Sequence, residues 1–139
     1  MKSLSSQIVL LAALVVFIAA PLLGHHSVSS EFDSTKAMTI TGVITQIRWN
    51  NPHVWIYMNV KGADGKIVPW RIEIAATGAL MRAGFDRSLL DLTSTFTIEV
   101  WPAFKDPRDG RAGNGRLLTL PDGRTFDVSD KWPDTKQVK

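Results

Sequence analysis

The sequence predicts a mainly β protein: a small antiparallel barrel of five to six strands with one short helix after the third strand. Three observations carry this expectation. From Met38 onward, apolar and polar residues alternate over short runs, the period of strands with one buried face. Turn formers such as Asn50-Asn51, Ala63-Asp64-Gly65 and Pro121-Asp122-Gly123 separate those runs. Only residues 76–84, "ATGALMRAG", switch to helical spacing.

Composition bounds the rest. The chain has 139 residues, 45% hydrophobic and 21% charged, which suits one globular domain. Its first 24 residues stand apart. Lys2 provides a positive start, residues 8–20 are nearly all apolar, and Pro21-Leu22-Leu23-Gly24 follows. This is the pattern of a secretory signal peptide cut after Gly24, with Ala20 as the rival site. The apolar run falls short of the roughly 20 residues a comfortable membrane span needs, which argues against a retained anchor. A periplasmic or secreted location follows, with membrane contact only through the leader. A cut after Gly24 leaves 115 residues, enough for one modest core. There is no cysteine, hence no disulfide, thiolate metal site or cysteine nucleophile. Loss of Lys2 lowers the formal charge from +3 to +2, too weak a balance to suggest a nucleic-acid partner.

The mature chain divides into an extended arm (25–37), a barrel domain (38–129) and a flexible tail (130–139). "MTITGVITQIRW" (38–49) shifts its alternation at Gly42, which predicts a bulge there and puts Val43, Ile47 and Trp49 on the inner face. "HVWIYMNV" (53–60) alternates cleanly. "IVPWRIEI" (67–74) is the third strand, with Pro69 placing its start at an edge. A two-residue loop at Asn50-Asn51 sets Val43 beside Met58, Ile47 beside Val54, Arg48 beside His53 and Gln46 beside Trp55. A three-residue loop with Gly65 left-handed sets Val60 by Val68, Met58 by Trp70, Ile56 by Ile72, Tyr57 by Arg71 and Trp55 by Glu73. Three strands thus bury Val54, Ile56, Met58, Val60, Trp70, Ile72 and Ile74, and show Arg48, His53, Trp55, Tyr57, Arg71 and Glu73 outward.

In the helical stretch, Thr77 is a candidate cap, Leu80 and Met81 an apolar stripe, and Gly84 a stop. "FDRSLLDL" (85–92) adds a short turn. "TFTIEVW" (95–101) is a fourth strand with Phe96, Ile98 and Val100 inward. "FKDPRDGRAGNGR" (104–116) reads as a long glycine-rich loop, a solvated connection that carries Lys105, Arg108, Arg111 and Arg116 against Asp106 and Asp109. "RLLTL" and "RTFDV" make a hairpin, and Trp132 is an apolar residue able to dock the tail. Three strands, a helix and further strands is the order of the OB-like barrel, whose second and third strands carry the usual ligand face.

Several motifs resemble a family of small exported bacterial proteins of unknown function: "HHS" at the mature start, "TGVITQIRWNNPHVWIYMNV", "WRIE", "LMRAGF" and "LPDGR". The most specific are His25-His26-Ser27 and Asn51-Pro52-His53 followed by Trp55. The resemblance spans nearly all of the mature chain and implies export and fold, with no activity to carry over. The family's Lys-Pro-Gly-Asp-like turn before the fourth strand is replaced here by "DLTSTF".

Two constellations could carry function. All three histidines lie in those motifs. A cut after Gly24 would free the α-amine of His25, with a pKa of roughly 7.7–8.0. Amine and ring nitrogen of His25 could then chelate one ion, and His26 or His53 would complete a three-nitrogen set suited to copper, Cu(II). Arg48 beside His53 counts against a cation there, and solvated histidines are the plain alternative. The second constellation is the outward face of Trp55, Tyr57, Arg71 and Glu73, a candidate binding surface for a small ligand or a protein partner unless the arm or tail covers it. Glu73 alone does not make a hydrolase, and no nucleophile elbow, zincin helix or P-loop is present. The expectation is therefore a non-enzymatic binding module, with copper binding as the alternative.

Overall fold

A computed structural model describes residues 28–130. Residues 1–27, including the expected leader, His25 and His26, and residues 131–139 lie outside the described part. Two units divide the chain, Met1–Ser30 and Glu31–Lys139. Of the first, only residues 28–30 are described, within the helical turn α1 (Val28–Glu31).

The second unit is built on six strands: β1 (Met38–Arg48), β2 (Val54–Lys61), β3 (Ile67–Ile74), β4 (Thr95–Pro102), β5 (Arg111–Thr119) and β6 (Thr125–Asp127). They run β3-β2-β1-β4-β5-β6, and β3 also pairs with β5, so five strands close into a barrel and β6 is an extra strand. The closing β3–β5 pair is parallel, which corrects the expectation of a wholly antiparallel barrel. The short helix α2 (Thr77–Arg82) follows β3 as expected, and Gly84 ends it at φ +77°. Leu80 is buried beneath it, but Met81 is 56% exposed and no part of the core. Thr77 does not cap α2 with its own side chain. Its N–H and hydroxyl donate to Asn51 Oδ1 (3.3 and 2.9 Å), tying the helix start to the β1–β2 loop.

The β2–β3 register is the one the alternation predicts, from Val60↔Val68 through Trp55↔Glu73, and Gly65 holds φ +81° in the turn. The β1–β2 register is different. Arg48 pairs with Trp55 and Ile47 with Ile56, so residues 49–53 form a longer loop containing a cis Asn51–Pro52 bond. The phase break falls at Thr45, between Ile44↔Met58 and Gln46↔Tyr57, rather than at Gly42. Ile40 and Ile44 therefore face inward, and Val43 is turned out. Gly42 serves close approach instead: a Cβ there would stand 2.3 Å from the Asn59 carbonyl oxygen.

The expected glycine-rich loop 104–116 is half strand, since β5 starts at Arg111. A Cβ at Gly115 would meet Ile74 Cγ2 at 2.7 Å and Ile98 Cδ1 at 2.8 Å. Glycine here lets the barrel wall approach its own core, and "AGNG" is a seam rather than a flexible connection. Around that seam pack Ile72, Ile74, Phe85, Phe96, Ile98, Val100 and Leu118, all fully buried.

The described part of the arm is not extended. Between α1 and a 3-10 turn (Ser34–Lys36), Phe32 is buried and bridges Ala103. The Asp33 N–H donates to the Pro102 carbonyl (2.8 Å), which pins the segment beside the end of β4. Ahead of β4, Asp91 Oδ1 accepts from the Thr93 and Ser94 N–H groups (2.7 and 2.6 Å) and closes the "DLTS" turn; the Ser94 side chain and then these N–H groups lower its pKa to about 2. Among the described residues no helix is long and apolar enough to cross a membrane.

Candidate functional site: an aromatic–guanidinium face and a histidine clasp

Alternation on β1, β2 and β3 puts Arg48, Trp55, Tyr57 and Arg71 on the outer side of the barrel. Both rings are half-buried and both arginines exposed. The guanidiniums reach diagonally across the strands. Arg71 Cζ lies 5.2 Å from the centre of the Trp55 ring, and Arg48 Cζ lies 5.2 Å from that of Tyr57. Cation and ring attract through the ring quadrupole, which favours one arrangement of two otherwise floppy side chains. Among the described residues neither guanidinium is in a salt bridge. The face thus offers two positive charges held on aromatic platforms.

Glu73 does not belong to that open face. It is 9% exposed, because β5 lies alongside and pairs Asn114 with it. His53 closes over it. Nδ1 of His53 contacts Glu73 Oε1, and Nε2 lies 3.0 Å from Asp130 Oδ2. Each ring nitrogen thus faces a carboxylate oxygen, to which a ring N–H donates. Burial pushes the Glu73 carboxyl above its ordinary range. His53 opposes the shift, Asp130 and Glu31 add to it, and Arg71 opposes it more weakly.

This arrangement revises two expectations about His53. Arg48 is not its neighbour; two carboxylates are. Both ring nitrogens are engaged, so coordination through His53 would require release of Glu73 or Asp130. Among the described residues no group of three or more His, Cys, Asp or Glu side chains could hold a metal ion. The other two candidate ligands, His25 and His26, lie outside the described residues. Asp130, expected at the head of the tail, is part of the clasp.

A further polar group sits at the seam. Arg116 lies over the Trp101 ring, 3.9 Å from its centre, and its Nη1 is 3.5 Å from Asn114 Oδ1. Burial lowers the Arg116 pKa, while Asp127, Glu99 and Asp130 act to raise it. Asn114 is fully buried, and its Nδ2 has no hydrogen-bond partner among the described residues. The signal for this group was the period-two pattern Ala112, Asn114, Arg116 against Gly113 and Gly115 in "AGNGR", which the glycines disguised as a loop.

Beside the aromatic–guanidinium face opens a hollow of about 150 Å³, lined by Thr45, Tyr57, Trp70, Arg71, Asp109 and Arg111. Arg111 rests on the Trp70 ring (4.8 Å), with its Nε 3.2 Å from Asp106 Oδ2.

Residues 12–114 match a family described only as a family of unknown function, DUF6152. The chain belongs to that family. No curated protein and no solved structure matches the chain. Membership of DUF6152 thus brings no ligand or reaction, and function rests on the geometry of the two outer sites.

Proposed function

We propose that this DUF6152 chain is an exported, non-enzymatic binding module that recognises anionic groups of a small ligand or protein partner on the outer face of β2 and β3. The carrying observation is the pair of guanidiniums, Arg48 and Arg71, stacked on Tyr57 and Trp55 without a carboxylate partner among the described residues. Export is supported by the apolar run and small-residue boundary ending at Gly24. The closed five-stranded barrel supports reading the fold as OB-like, and in such barrels the second and third strands commonly carry the ligand.

Titration of the isotope-labelled protein with hexaglutamate tests the binding reading. Amide shifts should cluster at Trp55, Tyr57 and Arg71 and vanish in the Arg48→Gln, Arg71→Gln double variant. Equal shifts with hexalysine, or none on β2 and β3, would overturn it. Mass spectrometry of the protein recovered after expression in a Gram-negative host tests export: the mature chain should start at His25, and an N-terminus at Met1 would sink the assignment. The alternative, copper chelation by an N-terminal His25 with His26 or His53, has its support in the sequence alone. Cu(II) affinity should fall when one residue is added ahead of His25; unchanged affinity would remove that reading.

A further inference from the structure

We infer that the hollow between β3 and the 104–110 loop is a site for a small carboxylate with a flat apolar body. The inference rests on the binding-module reading and gives it a ligand class and a place. The hollow is open to solvent on one side, and its volume of about 150 Å³ has room for one benzene-like ring. Its lining joins the half-buried Tyr57 ring, Pro69 and Pro107, above the buried Trp70, to two guanidiniums, from Arg71 and Arg111. Each guanidinium is supported by a ring: Arg71 by Trp55 and Arg111 by Trp70. That support lowers the entropy lost when either closes on an anion, and guanidinium matches carboxylate in a planar, bidentate way.

The charges decide which anion fits. Asp106 is already occupied, since Oδ2 faces Arg111 Nε and Oδ1 accepts the Ala112 N–H (3.2 Å). Arg71 has no such partner among the described residues, so it is the cation most available to a ligand. Asp109 also lines the hollow and is exposed. A dianionic, wholly polar phosphate would meet that carboxylate and leave the apolar lining unused. A monocarboxylate with a ring places one charge at Arg71 and Arg111 and its apolar body against Tyr57, Pro69 and Pro107.

The backbone is shaped around the opening. The β1 irregularity falls at Thr45, whose hydroxyl donates to the Tyr57 carbonyl (3.3 Å). On the opposite side, Gly110 lets the loop come down on Pro69, where a Cβ would stand 2.3 Å from the carbonyl oxygen. Bulges recur beside binding sites because they re-aim side chains that a regular strand would place elsewhere.

Benzoate, titrated into the full chain and followed by amide and indole NMR shifts, is the direct probe. Saturable shifts should appear at Tyr57, Trp70, Arg71 and Arg111. Neutral benzamide should bind at least about tenfold more weakly, the value of a charge-assisted bond lost. Arg71→Gln and Arg111→Gln should each weaken benzoate by about as much. Arg111→Gln should leave the hexaglutamate response at Trp55 intact, which separates this site from the wider face. Benzoate shifts absent from the lining, benzamide binding as well as benzoate, or inorganic phosphate binding as tightly would each overturn the inference. The wild-type shift map decides it even if an arginine variant fails to fold.

Discussion

His53 and Arg71 both lie toward the outside of one barrel, yet their nitrogens are met in opposite ways. His53 is gripped between Glu73 and Asp130. Arg71 lies on an indole ring, with no carboxylate in salt-bridge reach among the described residues. The difference follows burial. Glu73 is nearly out of water, and a buried carboxylate needs a partner. Arg71 is exposed, so water can solvate it while the ring only steadies it. A satisfied cluster holds structure together, and an unsatisfied, steadied cation is free to meet something else.

The sharpest way to break this contrast is to remove the clasp. His53→Ala should cost about 2 kcal/mol in urea denaturation, less than a fully buried pair would because His53 is 30% exposed. A loss below about 0.5 kcal/mol would show that the cluster is not structural. Next comes its pH dependence. The Glu73 carboxyl is held above its ordinary 4.5 in the folded chain, so the folded state binds that proton more tightly than the unfolded state. Its contribution is fully present below pH 4.5 and is lost as pH rises through the raised folded value. Denaturation of wild type and Glu73→Gln across this window should show that fall in the wild type only. On the other side of the comparison, Trp55→Ala should cost about 1 kcal/mol, since the ring is half-buried, and should abolish the hexaglutamate response. A loss as large as that of a core aromatic, about 3 kcal/mol or more, would make Trp55 a packing residue instead. Smallest of all, Arg71→Gln should change stability by no more than about 0.5 kcal/mol while weakening anion binding.

What could be read from the chain follows the same divide between local and distant causes. The β2–β3 pairing was legible because eight alternating residues on each side meet across a short turn with glycine at its left-handed position. Tyr57 beside Arg71 and Trp55 beside Glu73 came with it. The β1–β2 pairing was not, because Gly42 invited a bulge that the chain makes at Thr45, and because Pro52 sits in a loop longer than two residues. The burial of Glu73 was invisible for another reason. What covers it is Asn114 on β5 and His53 held by Asp130, partners that only barrel closure brings in. The glycines of β5 misled most, since a residue without a side chain reports equally a free loop and a wall pressed against a core.

Closing the barrel through β3 and β5 has a consequence for how this protein can be approached. Only residues 70–73 of β3 are paired to β5. The stretch before them carries Pro69, which has no N–H to offer an incoming strand. At the far end of the sheet, β6 is three residues long. A partner seeking to dock by extending the sheet, backbone to backbone, finds almost no ladder to continue, and the same shortage guards against edge-to-edge aggregation. Among the described residues, the barrel wall offers a partner side chains rather than open backbone.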